Sequence, residues 1–290
     1  MAYEAKIILD SVAENGHRLV TFQVTFPRMV LAEMNTARAF SRNSASSRAI
    51  PVDKMIAMVK SDPFIPIYWG KNQKGMQAAA ELTHEKQKLA QKLWLTARDN
   101  AVRSAEAMLA LGSHKQVSNR ILEPFMWHTA IISATEYANF FAQRCHPDAQ
   151  PEIRRIAEMM RDLYDTSTPT LMTDGEWHCP YVTEEDTEAI AALSHFSWIP
   201  AHELRIRISL ARCARVSYNS QEGKRDVSAD LDLFNKLVKG MHPSPMEHPA
   251  TPCDNPSQWA NFKGWRQYRR GFANENQTEY PRAAALLEAK

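Results

Sequence analysis

This 290-residue chain lacks a cysteine pair, a long apolar run, a glycine-rich phosphate loop and a surplus of one charge. Each absence closes a class of function. The four cysteines, Cys145, Cys179, Cys213 and Cys253, lie far apart without C-x-x-C spacing. Neither a zinc site nor a redox pair is therefore indicated, and a reduced, intracellular protein is the simpler reading. No stretch of ~18 apolar residues occurs, as a membrane-spanning helix would need. The start, "MAYEAKIILDSVAENGHRL", lacks the apolar core of a signal peptide, so the expected location is the cytoplasm. A net charge of +2 with pI 8.3 is too mild for general nucleic-acid binding, where a domain pI above ~9 is usual. No G-x-G-x-x-G or P-loop pattern is present, which argues against a Rossmann dinucleotide site or an ATPase. No spacing suggests a Ser-His-Asp or Cys-His arrangement.

What remains is a chain able to bury a core. It is 44% hydrophobic and 23% charged, outside the disordered range, and long enough for one or two domains of ~150 residues. Residues 19–26, "LVTFQVTF", alternate, with Phe22, Val24 and Phe26 on one face and Thr21, Gln23 and Thr25 on the other. That pattern predicts a half-buried strand. Pro27 suits a helix start, so "RMVLAEMNTARAF" reads as a helix. Residues 61–75 are punctuated by proline and glycine and read as a loop. A long helix is expected over 76–111, a second helical block over 115–143, and a third from Pro151. Residues 165–198 read as irregular. A strand or short helix follows in "ELRIRISLARCARVSY", then a helix capped by Ser228 and ended by Gly240.

Four constellations could carry chemistry. In "RAFSRNSASSRAIP", residues 38–51, serine hydroxyls, backbone N–H groups and arginines could line an anion. The same residues could equally cap neighbouring helices. In "GMHPSPMEHPATP", His242, Glu247 and His248 stand in a proline-stiffened loop, but their spacing matches no zinc pattern. Arg120 and Arg144 sit in or beside apolar runs, where a charge needs a partner. Glu123, Asp148 or Glu152 could supply it, or a ligand phosphate or carbonyl. The tail "WRQYRR" reads as a basic solvated face.

Together these stretches resemble the flavin-dependent thymidylate synthase (ThyX) family. The signature R-H-R-x-x-S-x-N-E-x-S-x-R is similar to "TARAFSRNSASSR", which ends at Arg48. The family's "AQ-x-EI" is similar to Ala149–Ile153, its "AAR-x-S" to Cys213–Ser217, and its "H-x-SPFEH" to His242–His248. The last two precede the signature in typical members and follow it here, so the motif order resembles a circular permutation of a phage type. Chain termini that lie close together permit such a rearrangement. Three signature positions depart: Thr36, Ala37 and Ser44 stand where the family has arginine, histidine and glutamate.

The resemblance implies an α/β (α+β) fold with a mixed or antiparallel sheet and long helices. It also implies one composite domain, with a catalytic module at 1–165, a connection at 166–198 and a permuted module at 199–290. It implies C5 methylation of a deoxyuridine monophosphate, with FAD as cofactor and NADPH and methylenetetrahydrofolate as co-substrates. Ser46, Ser47, Arg48, Arg120 and Arg144 would bind the substrate, with Ser46 and Arg144 catalytic. Arg38, Asn43, Asn139, Ser217, His242, Ser244 and Glu247 would lie at the flavin. Arg266, Gln267, Arg269 and Arg270 resemble a second arginine-rich helix end that would compensate for the departed signature positions. No metal is expected. The assembly would be a homotetramer with shared sites, in a host cytoplasm if phage-encoded. Alternatives are methylation or hydroxymethylation of another deoxypyrimidine monophosphate such as dCMP, and a nucleotide-binding relative without catalysis.

Overall fold

A five-stranded sheet organises the molecule. The computed structural model describes residues 2–216, 226–240, 242 and 244–272. Strands β1 (Glu4–Ala13) and β2 (Arg18–Pro27) form an antiparallel hairpin. Its turn uses Gly16 at φ +83°, a conformation that costs glycine little. Helix α1 is a single turn, Leu31–Met34, behind the 3-10 turn Arg28–Val30. Strand β3 (Ser41–Ser44) forms the sheet edge. Helices α2 (Val52–Ser61), α3 (His84–Ala110) and α4 (Lys115–Ser118) lead through the 3-10 segment Asn119–Phe125 into β4 (Trp127–Ala134). Then come α5 (Ala138–Arg144), α6 (Pro151–Thr166) and the short β5 (Thr170–Met172). The sheet order is β3-β4-β2-β1-β5, antiparallel except for the parallel β1–β5 edge.

The remainder is helical with a small ribbon. It comprises α7 (Thr187–Ser197), α8 (Ala201–Arg215), α9 (Val227–Lys239) and the antiparallel pair β6 (Ala250–Pro252) and β7 (Trp265–Gln267). This is the α+β architecture with a mixed sheet and long helices that the resemblance implied.

The apolar face of β2 packs as its alternation requires. Phe22, Val24 and Phe26 join Ala130 and Ile132 of β4 and Ile153, Ile156 and Met160 of α6 in the main core. The opposite face departs from expectation, because it is buried too. His178 and His248 lie against it, and the hydroxyls there are satisfied in a chain of hydrogen bonds, with His248 Nε2 left unpartnered at its end. Ser11 Oγ meets His178 Nδ1 (2.8 Å), His178 Nε2 meets Thr21 Oγ1 (2.8 Å), Thr21 meets Ser133 Oγ (2.6 Å), and Ser133 meets His248 Nδ1 (2.9 Å). A buried polar group must find such a partner or cost about 1–3 kcal/mol. Burial drives the pKa of both histidines down to about 3, and His248 lowers that of His178 further. Both are therefore neutral at ordinary pH.

Several elements differ from the sequence reading. The helix expected over "RMVLAEMNTARAF" stops at Met34, because Arg42 donates to the carbonyls of Met34 (3.2 Å) and Ala37 (2.9 Å) and turns the chain toward β3. The block expected to be helical at 115–143 contains central strand β4. "WHTAIISA" is buried on nearly every residue, so it shows none of the period-two contrast that marks a half-buried strand. The long helix begins at His84, since residues before it fold back through a bridge between Gly70 and Glu81. "ELRIRISLARCAR" belongs to a 15-residue helix. Residues 165–198 hold β5 and α7. Asp226, not Ser228, caps α9, accepting from Ala229 N at 3.1 Å, and Gly240 follows its last residue as expected. The arginine-rich tail is a strand and a 3-10 turn rather than a helix end.

Candidate functional site

Three stretches far apart in sequence meet at the side chain of Asn43. From edge strand β3, its Nδ2 donates to the carbonyl of Cys213 near the end of α8 (3.0 Å), and its Oδ1 accepts from Ser244 Oγ (2.9 Å). Ser244 opens the 3-10 turn Ser244–Glu247. One buried amide thus joins the signature strand to both later motifs. Around it, Gln267 Nε2 donates to Ser41 Oγ and to the Glu247 carbonyl, both at 3.0 Å. Asn261 Nδ2 donates to Ser41 Oγ (2.9 Å) and the Ala39 carbonyl (3.1 Å). Arg269 pairs with Glu247. Burial lowers the pKa of Arg42, Glu247 supports its charge, and Arg38 opposes it.

Beyond β3 the serine loop is clamped onto the Asn119–Phe125 segment. Asn119 Nδ2 donates to the carbonyls of Ser47 (2.7 Å) and Ile50 (3.0 Å), and Lys115 Nζ to that of Ala49 (3.0 Å). One carboxylate oxygen, Glu123 Oε1, accepts from Ser47 Oγ (2.7 Å), Arg120 (2.8 Å) and Arg28 (3.4 Å). Burial lowers the pKa of Arg28, and burial together with Arg28 pushes His128 down to about 3. Arg28 and Arg120 therefore share one carboxylate. Arg48 is exposed, Ser46 half-buried, and Arg120 is still 48% exposed beside its partner. The cation excess and the open hydroxyl form a surface suited to an anion.

A third group lies on α5. Arg144 donates to Thr36 Oγ1 (2.8 Å) and the Glu33 carbonyl (3.5 Å). It pairs with neither proposed carboxylate: Asp148 lies by His146, and Glu152 accepts from Gln150 and Ile67 N. Of the two ion-pair readings from sequence, Arg120–Glu123 forms and that of Arg144 does not. Asn139, on the same helix, is exposed and accepts from Gln143 (3.1 Å). Arg38 is exposed on the turn between these groups.

His242 and His248 do not come together as ligands. His242 is exposed and its backbone N–H caps α9 at the Leu237 carbonyl (3.0 Å), whereas His248 is fully buried. Among the described residues, no group of three or more His, Cys, Asp and Glu side chains could hold a metal ion, and no helix is long and apolar enough to cross a membrane. Ser217 lies outside the described residues. All four cysteines are free, and burial pushes Cys179 up to about 12 and Cys213 upward as well. Such thiols stay protonated and are poor nucleophiles.

Sequence reasoning missed Arg42, Asn261 and the bonding role of Gln267. Glutamine and asparagine carry no charge pattern, and the partners of these two lie more than 200 residues away, except for the Glu247 carbonyl.

A mixed sheet thus carries the arginine–serine stretch on its edge strand, where Cys213 and Ser244 meet it at Asn43. The family model described as thymidylate synthase complementing protein (Thy1) matches residues 10–170, and the chain belongs to that family. Membership makes it a flavin-dependent methyltransferase of the thymidylate synthase type. Cys213 and Ser244, which meet Asn43, fall after the matched range. No curated protein sequence matches the chain. Solved structures similar to it include the UMP/dUMP methylase PolB from Streptomyces cacaoi bound with 5-Br UMP. That likeness has 13% identity and TM-score 0.48, covering 56% of this chain and 88% of that one. The same methylase bound with 5-Br dUMP gives 14% identity and TM-score 0.46, covering 56% and 90%.

Proposed function

We propose that this chain methylates deoxyuridine monophosphate at C5 to give thymidine monophosphate. The carrying observation is the convergence at Asn43, which assembles in space the motifs that the chain holds in permuted order. Family membership points to thymidylate formation, so deoxyuridylate is preferred to the deoxycytidylate alternative.

Arg48 and Ser46 would hold the nucleotide phosphate. Arg120 would share its guanidinium between Glu123 and the ligand, and Ser47 would fix the loop through Glu123. Arg144 would address a pyrimidine carbonyl. The hydroxyl of Thr36 occupies one N–H of its guanidinium, which orients the fork. A fixed positive charge there stabilises negative charge as it develops on the base. Thr36 stands where the family has arginine, and its use in holding Arg144 favours an active enzyme over a degenerate relative.

The residues around the clasp fit a flavin. Exposed Arg38 and His242 offer donors, Ser244 Oγ keeps its acceptor lone pairs, Arg38 suits an anionic diphosphate, and Asn43 and Glu247 are already fixed by Ser244 and Arg269. Asn139 and Ser217 complete the proposed set. Bound FAD would supply the hydride, with NADPH as reductant and methylenetetrahydrofolate as carbon donor. The assembly would be a homotetramer in which neighbouring copies complete each site.

The test is flavin uptake. Purified protein should bind FAD at about one per chain by calorimetry and absorbance, a stoichiometry expected of a dedicated cofactor site. Colourless protein that takes up no FAD at saturating concentration contradicts the reading.

A further inference from the structure

Bordered by Gln267 lies a groove of about 570 Å³ that the proposed catalytic groups do not line. Trp177, Gln258, Arg266, Tyr268, Arg270 and Phe272 line it. Its volume is in the range of small-molecule sites, ~300–1,000 Å³. The aromatic wall is a ladder of edge-to-face contacts, Trp177–Tyr268 at 5.8 Å and Tyr268–Phe272 at 5.6 Å. The middle ring is pinned, because Tyr268 Oη donates to Glu203 Oε1 at 2.8 Å.

Strand β7 sets the charges. Trp265 and Gln267 point inward and are buried, so the intervening Arg266 is directed outward and exposed, as the strand period of two dictates. Arg266 has no ion-pair partner among the described residues. Arg270 makes one long bond, to the Ser257 carbonyl at 3.5 Å. Among the described residues, no acidic side chain lines the groove. Two weakly engaged guanidiniums beside a fixed aromatic wall match a ligand with a flat ring and an acidic end. The ring would pack on the aromatics, and the anion would take the forks of the arginines.

We propose that this groove binds a planar aromatic anion. Two sources share that chemistry: the benzoyl-glutamate portion of a folate and the phosphorylated adenosine of a nicotinamide dinucleotide. Only the choice between these rests on the proposed function; the groove does not.

The experiment is calorimetry on the full chain with p-aminobenzoyl-L-glutamate and, separately, adenosine 2′,5′-bisphosphate. Each is titrated into wild type, the Arg266→Gln/Arg270→Gln double variant and Trp177→Leu. Tm and FAD uptake are measured on the same preparations. At least one probe should bind wild type and lose about tenfold or more in affinity in the double variant, the scale for losing a charged hydrogen bond. Tm and FAD uptake should stay unchanged. Whichever probe binds more tightly identifies the source. If Trp177→Leu fails to fold, the double variant decides, since Arg266 is exposed and Arg270 is half-buried with one long bond. Binding of neither probe overturns the proposal, as does equal binding in a folded double variant. FAD uptake without probe binding would sink the groove alone, and probe binding without FAD uptake would sink the function alone.

Discussion

The arginines of α8 and those around the serine loop are chemically alike and sit in opposite surroundings. Arg212 is 7% exposed and forms a bidentate pair with Asp186 (2.7 and 2.8 Å) and a further bond to Asp230 (2.8 Å). Arg215 adds two bonds to the same Asp230. Burial works against the charge of Arg212, but the two aspartates more than restore it, and its pKa is raised. Around the serine loop, two arginines share one carboxylate, and Arg48 is exposed without an ion-pair partner among the described residues. The difference separates scaffold from site. A buried guanidinium whose bonds are all made holds helices together and has nothing left for a ligand. A partly exposed one with spare N–H groups destabilises little and recognises much.

Acid should separate the two regions most strongly. His128, His178 and His248 are held neutral, with pKa values near 3 against 6.5 for the free side chain. Below pH 6.5 the unfolded chain takes up protons that the folded chain refuses. Stability should therefore fall as pH drops from 6.5 toward 3, at up to about 1.4 kcal/mol per pH unit for each group, and be flat in these groups above 6.5. Urea midpoints at pH 7 and pH 5 check this. Identical midpoints would mean that the polar face of the sheet is wet.

Removing a scaffold arginine comes next. Arg212→Met strands Asp186 and part of Asp230 in the interior and should cost about 3–5 kcal/mol, read as a fall in Tm. A loss within about 0.5 kcal/mol, the scale of ordinary surface changes, would erase the distinction drawn here.

Arg48→Ala should do the reverse. Nucleotide affinity should weaken by about 1.5–3 kcal/mol, while Tm stays put. Deoxyuridine, lacking the phosphate, should be nearly indifferent, and equal losses for nucleoside and nucleotide would reject the phosphate role.

Arg144 gives a finer test. Arg144→Ala should lower kcat more than it raises KM, because the charge matters most as the base becomes anionic. Lysine should restore little, since the planar fork is lost. The smallest effect is expected from Thr36→Val, which removes one hydrogen bond to that fork, worth about 0.5–1.5 kcal/mol. Loss of Tm in all three variants at unchanged kcat would make Arg144 a scaffold arginine after all.

What the sequence disclosed follows the same physics. The alternation of β2, the start of α6 at Pro151 and the serine-arginine loop were legible because each is local. Strand β4 was not, since burial on both faces erases the alternation that would identify it. The second burial of β2 was hidden because Thr21 and Thr25 look solvated until His178 meets the one and Thr129 the other. Glu123 was visible as a partner for Arg120. That Ser47 and Arg28 share it required the strand that no pattern announced. The junction at Asn43 spans separations of 170 and 201 residues, which motif matching can suggest and only folding can bring together.

The most direct measurement is the mass of the product. Wild-type protein with FAD, NADPH, carbon-labelled methylenetetrahydrofolate and deoxyuridine monophosphate should yield labelled thymidine monophosphate, with deoxycytidine monophosphate left unchanged. Unaltered deoxyuridine monophosphate after incubation with FAD-loaded, reducible protein would contradict the account.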